Sequence, residues 1–326
     1  MTDPYAFVLR RTGGPEVLEA ELIDRPAPGA GQVLVRHEVV GVNFIETYHR
    51  SGLYPRPLPS GLGNEAAGIV EALGEGVAGF KAGDRVGYFT GPLGSYATHR
   101  AIDADRLVKL PEGMSPELAA AVMLKGCTAE YLVERCARIA PGEAVLVHAA
   151  AGGVGSILVP WLKHLGAVVI AHAGNSRKAA LAEALGADQA LCCPMEELAG
   201  EVRALTAGKG VPVVLDGVGA SSWRASLGSL ARRGLLVTYG NASGPVPPFT
   251  ALDLLGAGSV YVTRPTLADY CATAEEMRAS AARVFELIGN NILDVRIGAR
   301  LPLLDAAEAH RAIEARATTG STVLIP

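Results

Sequence analysis

One stretch, Glu143 to Leu165, constrains the fold more than any other, because EAVLVHAAAGGVGSILVPWLKHL orders a buried strand, a glycine turn and a helix. After the Pro141-Gly142 turn signal, Ala144 to Ala150 is a nearly continuous apolar run of strand length, as a parallel strand covered on both faces requires. Gly152, Gly153 and Gly155 then predict a sharp turn with no side chain between backbone and ligand. The N–H groups and positive dipole end of the following helix favour a pyrophosphate there. Ala149, Gly152 and Gly155 give the spacing A-x-x-G-x-x-G, a variant of the dinucleotide fingerprint that is weak alone in a chain with 39 glycines. Pro160 lies beyond the first turn of that helix, where it is expected to remove a hydrogen bond and kink the axis.

Context strengthens the fingerprint. Strand-like runs at 168–173, 190–193, 211–219, 234–240 and 259–265 alternate with helical patterns at 177–185, 195–206 and 222–230. That alternation implies an α/β fold with a doubly wound parallel sheet. Residues 5 to 110 read differently, as short alternating strands between Gly/Pro turns, which predicts a compact β domain with little helix. Helical periodicity begins after Ser115-Pro116, and Leu118 to Val122 and Thr128 to Ala137 fit two helices leading into the glycine turn. The segment after residue 265 does not extend the alternation and is assigned back to the first domain. The expected division is therefore 1–124, 125–265 and the return segment 266–326; a chain of 326 residues can fill two cores.

Charge and cysteine usage exclude several classes. A net charge of −4 supplies no basic field for a phosphate polymer, so no nucleic acid partner is expected. No apolar run approaches the ~20 residues that cross a bilayer, so no membrane insertion is expected. Cys127, Cys136, Cys192, Cys193 and Cys271 form no C-x-x-C, and the amino terminus lacks an apolar signal stretch. Both point to reduced thiols in a cytoplasmic protein. The second strand of the alternation leads into Gly174-Asn175-Ser176-Arg177-Lys178, with no acid to bond a ribose 2′-OH and two cations to meet a 2′-phosphate. NADPH is expected over NADH, with Lys178, helped by Arg177, on the phosphate.

Three segments carry a family resemblance: GVNFIETYHRSGLYP (41–55), HAAAGGVG (148–155), and GNASGPVPPF (240–249) with YVTRPTL (261–267). Together they resemble the zinc-free quinone oxidoreductases of the medium-chain dehydrogenase/reductase superfamily, the group that includes zeta-crystallin. The resemblance implies a Rossmann domain beside a GroES-like β domain, an active site in the cleft between them, and NADPH-dependent reduction of quinones. It also implies a homodimer joined through residues 259–263. Carried over by position, Asn43, Phe44, Ile45, Glu46, Thr47 and Tyr48 match the loop beside the nicotinamide, and Tyr54 matches the cleft tyrosine. Thr128 and Tyr131 match the helix leading into the fold, Gly152, Gly153 and Val154 the pyrophosphate turn, and Gly174 to Lys178 the adenosine-phosphate loop. Tyr239, Gly240, Asn241, Val262, Thr263, Arg264 and Arg316 match the rest of the cofactor groove. Two positions depart from the family: Cys193 stands for its tyrosine after the third Rossmann strand, and Gly217 for its serine after the fourth. Zinc-dependent relatives place a cysteine and a histidine where this chain has Asn43 and Asn64, so no metal is expected.

Asn43, Tyr48 and Tyr54 are the expected catalytic residues, placing an apolar acceptor rather than attacking it. Simpler readings stand beside these: turn residue for Asn43, amphipathic surface aromatics for Tyr48 and Tyr54. Glu65 reads either as a site carboxylate or as a paired structural one, and His49 is the one histidine in the cleft loop. Two further functions remain open, reduction of α,β-unsaturated carbonyls and a non-catalytic crystallin-like or RNA-binding role.

Overall fold

The computed structural model describes residues 3–326, and among these the chain forms two compact units. Unit 1 comprises residues up to Cys127 with Cys271–Phe285 and Val295–Pro326; unit 2 comprises Thr128–Tyr270 and Glu286–Asp294. No helix among the described residues is long and apolar enough to cross a membrane.

In unit 2 the expected alternation closes into a six-stranded parallel sheet. Its spatial order is Gln189–Leu191, Val168–His172, Ala144–His148, Val211–Asp216, Leu230–Thr238 and Tyr261–Thr263. Every pairing is parallel. By chain position this is order 3-2-1-4-5-6, whose direction reverses beside the strand that feeds the glycine turn; such a switch point opens a crevice for ligands. The core holds Leu146, Ile170, Val214 and Leu236 from the strands against Leu198, Val202 and Trp223 from the covering helices.

Unit 1 is built on a larger mixed sheet in the order Ile297–Pro302, Ser321–Ile325, Gln32–Val42, Ala66–Leu73, Arg85–Tyr88 and Val108–Lys109. His99–Asp103 also pairs with Gln32–Val42. Tyr5–Leu9, with Ala20–Leu22 and Ser60–Gly61, makes a small second sheet. Alternating residues of Gln32–Val42 and Ala66–Leu73 meet Tyr88, Tyr96, Leu107 and Leu303 in one core.

Four details differ from the sequence reading. Residues 44–51, expected as loop, form the helix Phe44–Ser51, started by Asn43 and Glu46 and ended by left-handed Gly52 at φ 84°. The two helices expected at 118–137 are one, Pro116–Glu130, continuing as a π-helical segment Tyr131–Cys136. Gly126 does not break it, because a Cβ there would meet Val284 at 2.7 Å; the glycine serves packing. Pro160 sits inside an unbroken helix, Gly155–His164. Finally, the left-handed residue of the glycine turn is Ala149, at φ 50°, rather than any of the three glycines.

Candidate functional site

In unit 2 the expected cofactor residues fall, without exception for the loops, after the carboxyl ends of the sheet strands. The turn Ala149–Val154 follows the first strand in sequence, Gly174–Lys178 the second, Cys193 the third, Gly217 the fourth, Tyr239–Asn241 the fifth and Arg264 the sixth. The glycine turn is tightly drawn: Gly152 N–H donates to the Ala149 carbonyl at 2.8 Å and Ser156 N–H to the Gly152 carbonyl at 2.8 Å. A Cβ on Gly155 would lie 2.3 Å from the Ala149 oxygen, so only glycine lets the helix start this close to the strand. At Gly174, by contrast, a Cβ would meet nothing within 4 Å, and residues 174–177 are exposed. Asn175 caps the next helix by accepting the Lys178 N–H at 2.9 Å. A tight backbone turn at a helix start and an open cationic loop beside it suit a dinucleotide bearing a 2′-phosphate.

The departure at Gly217 has a physical consequence. A Cβ on Gly217 would lie 2.8 and 2.9 Å from two carbons of the Tyr239 ring and 3.0 Å from its hydroxyl, so the serine of the family could not stand here with Tyr239 in this position. Cys193 offers its carbonyl to His172 Nε2 at 3.0 Å. Tyr131 is buried and stacked on Tyr270, with ring centroids 4.6 Å apart and planes at 15°. Thr128 is buried, Val262 and Thr263 lie on the edge strand, and Arg264 Nη1 donates to the Thr238 carbonyl at 3.1 Å.

In unit 1 the helix Phe44–Ser51 brings Tyr48 against Tyr54, with centroids 5.2 Å apart, and Phe44 against Tyr48 at 6.1 Å. Tyr48 is buried and Tyr54 half-buried. His49 packs its ring edge-on to Tyr54 at 5.8 Å, and burial, with Arg56 nearby, lowers its pKa to about 4. The imidazole is therefore neutral near pH 7. Ile45 is half-buried, Thr47 Oγ1 bonds the Phe44 carbonyl at 2.8 Å, and Arg316 is exposed at φ 55° after helix Ala306–Glu314.

Beneath that helix lies a cluster that sequence reasoning only half found. Glu46 is fully buried; its Oε2 accepts the Asn43 N–H at 2.6 Å, and its Oε1 accepts the Asn64 N–H at 3.2 Å and Nδ2 at 2.9 Å. Both oxygens are thus used at the helix start rather than on a ligand. Burial raises the Glu46 pKa to about 7, against the lowering pull of these bonds and of Lys125. Glu65 is equally buried and is the paired carboxylate, accepting Leu124 N–H on Oε1 at 2.7 Å and Asn43 Nδ2 on Oε2 at 3.0 Å. A Cβ on Gly41 would sit 2.4 Å from Glu65 Oε2, so the glycine leaves room for the carboxylate. Lys125, buried and absent from the sequence reading, places Nζ 3.8 Å from Glu65 Oε2. No apolar period or motif marks it, since a charge inside a helix reads as solvated until its neighbours are known.

Comparison with known proteins places this geometry. The family described as alcohol dehydrogenase GroES-like domain matches residues 29–112, and that described as zinc-binding dehydrogenase matches 153–286. At the positions in question the chain presents amides, and both Asn43 and Asn64 donate to buried carboxylates. Among the described residues no group of three or more His, Cys, Asp or Glu is arranged to hold a metal. A quinone oxidoreductase of Pseudomonas aeruginosa is 49% identical over 96% of this chain and 97% of its own. The 2-haloacrylate reductase of a Burkholderia species is 40% identical over 98% of each chain. The crystal structure of Escherichia coli quinone oxidoreductase complexed with NADPH superposes with a TM-score of 0.96 at 45% identity, covering 99% of this chain and 100% of that one. Identity of that order across nearly the whole length assigns the chain to the quinone oxidoreductase family of the medium-chain dehydrogenase/reductase superfamily.

Proposed function

We propose that this protein is a metal-independent reductase that uses NADPH to reduce quinones. The observation that carries the reading is the gathering of the unit 2 loops at the carboxyl ends of one parallel sheet, in a chain 45% identical to a quinone oxidoreductase seen with NADPH. The turn Gly152–Val154 and the helix behind it hold the pyrophosphate, and Lys178 with Arg177 holds the 2′-phosphate. Bound NADPH supplies the hydride. The chain itself supplies placement: Tyr54 packs a flat acceptor ring, while Asn43 and Tyr48 orient polar atoms beside it. The direct test is purified protein given NADPH and a panel of quinones and enones, followed at the cofactor absorbance. Turnover of quinones by protein free of stoichiometric zinc is expected; brisk turnover of enones with none of quinones would overturn the reading. The enone alternative has one observation of its own, the 40% identity to 2-haloacrylate reductase, whose name specifies an activated carbon–carbon double bond.

The same reading includes a homodimer through residues 259–263. Strand Tyr261–Thr263 ends the sheet with one side unpaired among the described residues, and Tyr261, Leu252, Leu255 and Phe249 expose apolar side chains. An uncovered apolar strand edge is a template for a second copy. Light scattering should return the mass of two chains, and the double variant Leu255→Asp, Tyr261→Asp should return one. A monomeric parent protein at micromolar concentration would refute the dimer.

A further inference from the structure

Unit 1 buries a positive charge that its own residues do not satisfy. Lys125 is 5% exposed, and its Nζ has no hydrogen-bond partner among the described residues; the nearest carboxylate oxygen, Glu65 Oε2, is at 3.8 Å, beyond hydrogen-bond reach. A buried ammonium that serves only the fold is normally bonded on several sides, because leaving its N–H groups unmet is costly. Glu65, bonded to Leu124 N–H and Asn43 Nδ2, faces Lys125 as an ion pair at 3.8 Å without a hydrogen bond to Nζ.

Asn43 approaches the same Glu65 oxygen as Lys125. Asn43 is 4% exposed and spends its Nδ2 on the same Glu65 Oε2, while its Oδ1 makes no hydrogen bond within 3.5 Å among the described residues. The helix start is a capping box in which Glu46 Oε2 accepts the Asn43 N–H at 2.6 Å and the Asn43 side chain faces the Glu46 N–H, which itself bonds the Asn43 main-chain carbonyl at 3.3 Å. One carboxylate oxygen therefore gathers an unused cationic donor and an unused amide acceptor. A group that meets both must accept from N–H and donate O–H, as a hydroxyl or a water does.

We propose that Lys125 Nζ and Asn43 Oδ1 hold the phenolic oxygen of the reduced acceptor, and that Lys125 delivers the proton that completes the reduction. This rests on the quinone reductase reading above. When the hydride electron pair has entered the acceptor, one oxygen carries a negative charge. An Nζ–H bond of Lys125 breaks and an O–H bond forms, giving the neutral hydroquinone and an uncharged amine. The amine regains its proton from solvent between turnovers. A ribose hydroxyl shares the donor-and-acceptor chemistry, but it develops no charge, so an ammonium favours it far less than a phenolate. The titratable groups acting on Lys125 are Glu65 and Glu46, both carboxyls whose pKa burial raises.

The experiment uses p-nitrophenol, whose colour reports ionisation, bound to the full chain without cofactor, next to steady-state kinetics. In the parent protein bound nitrophenol should ionise at a lower pH than free nitrophenol, by about one unit, a tenfold shift toward phenolate. Lys125→Met should abolish that shift and lower kcat at least tenfold with the KM for NADPH changed less than twofold; Lys125→Arg should restore part of both. Nitrophenol ionising alike in parent and Lys125→Met, or an NADPH dissociation constant that rises while nitrophenol is unaffected, overturns the assignment, the latter in favour of a ribose hydroxyl. Should Lys125→Met not fold, the parent protein alone decides, since bound nitrophenol with an unshifted or raised pKa refutes the proposal. Parent protein inactive toward every quinone and enone would remove the reductase reading and this inference together, whereas full activity in Lys125→Met removes only the inference.

Discussion

At the scale of single residues, the proposed choice of NADPH rests on Lys178. It opens the helix Ser176–Ala184, where a cation is unfavourable unless an anion sits in front of it, and no carboxylate follows the second strand to bond a ribose hydroxyl. Lys178→Glu should raise the KM for NADPH about tenfold or more and leave that for NADH nearly unchanged, as side-by-side kinetics would show. Equal effects on both would refute the assignment. The expected role of Lys178 could be drawn from the sequence because it depends on neighbours in the chain. Lys125 gave no such signal, and Glu46 was named only through the family resemblance, because the surroundings of both depend on Asn64, Glu65 and Asn43 arriving from other elements. Gly217 falls between: its departure from the family was visible, but its conflict with the Tyr239 ring was not.

Among the elements, the helix Gly155–His164 tests how far local rules bind. Pro160 lacks the N–H that would bond the Ser156 carbonyl, a defect worth up to about 3 kcal/mol in a helix interior. The helix nevertheless runs on, with Ile157, Leu158, Val159, Trp161 and Leu162 all buried, so packing outweighs the lost bond. Pro160→Ala should restore that bond and raise Tm by about 2 °C in a melt followed by circular dichroism; a fall in Tm would show that the ring is needed for packing. The strand–turn–helix units were legible because buried parallel strands are continuous apolar runs, as in Ala144–His148 and Val211–Asp216. Helix Phe44–Ser51 was missed although Asn43 and Glu46 have capping-box spacing, because its polar residues Glu46, Thr47 and Arg50 are the buried ones. The π-helical turn at Tyr131–Cys136 had no sequence signal; in the structure Tyr131 stacks on Tyr270, while Arg135 donates to the Tyr270 carbonyl at 2.7 Å.

For the whole molecule, buried titratable groups set how stability follows pH. Burial lowers His37 and His310 to about 3 and His148 and His49 to about 4, from an ordinary value of 6.5. Their contribution is complete above about 6.5 and is lost as pH falls toward those values. Glu46, raised to about 7 from 4.5, works in the opposite sense: its contribution is complete below about 4.5 and is lost as pH rises through about 7. Glu65 is shifted the same way. Between pH 4.5 and 6.5 four histidines oppose two carboxyls, so unfolding takes up protons and Tm should fall on acidification. Glu46→Gln should steepen that fall; thermal melts across the window would show either trend reversed if the assignment is wrong. The interleaving of the two units has another consequence, for synthesis. Strand Ser321–Ile325 lies inside the unit 1 sheet, between Ile297–Pro302 and Gln32–Val42. A growing polypeptide therefore releases the edge of Gln32–Val42 from the ribosome nearly three hundred residues before the strand that covers it. Unit 2, whose six strands are contiguous in the chain, can close its sheet while still tethered, leaving the earlier-made β segments to wait for their last partner.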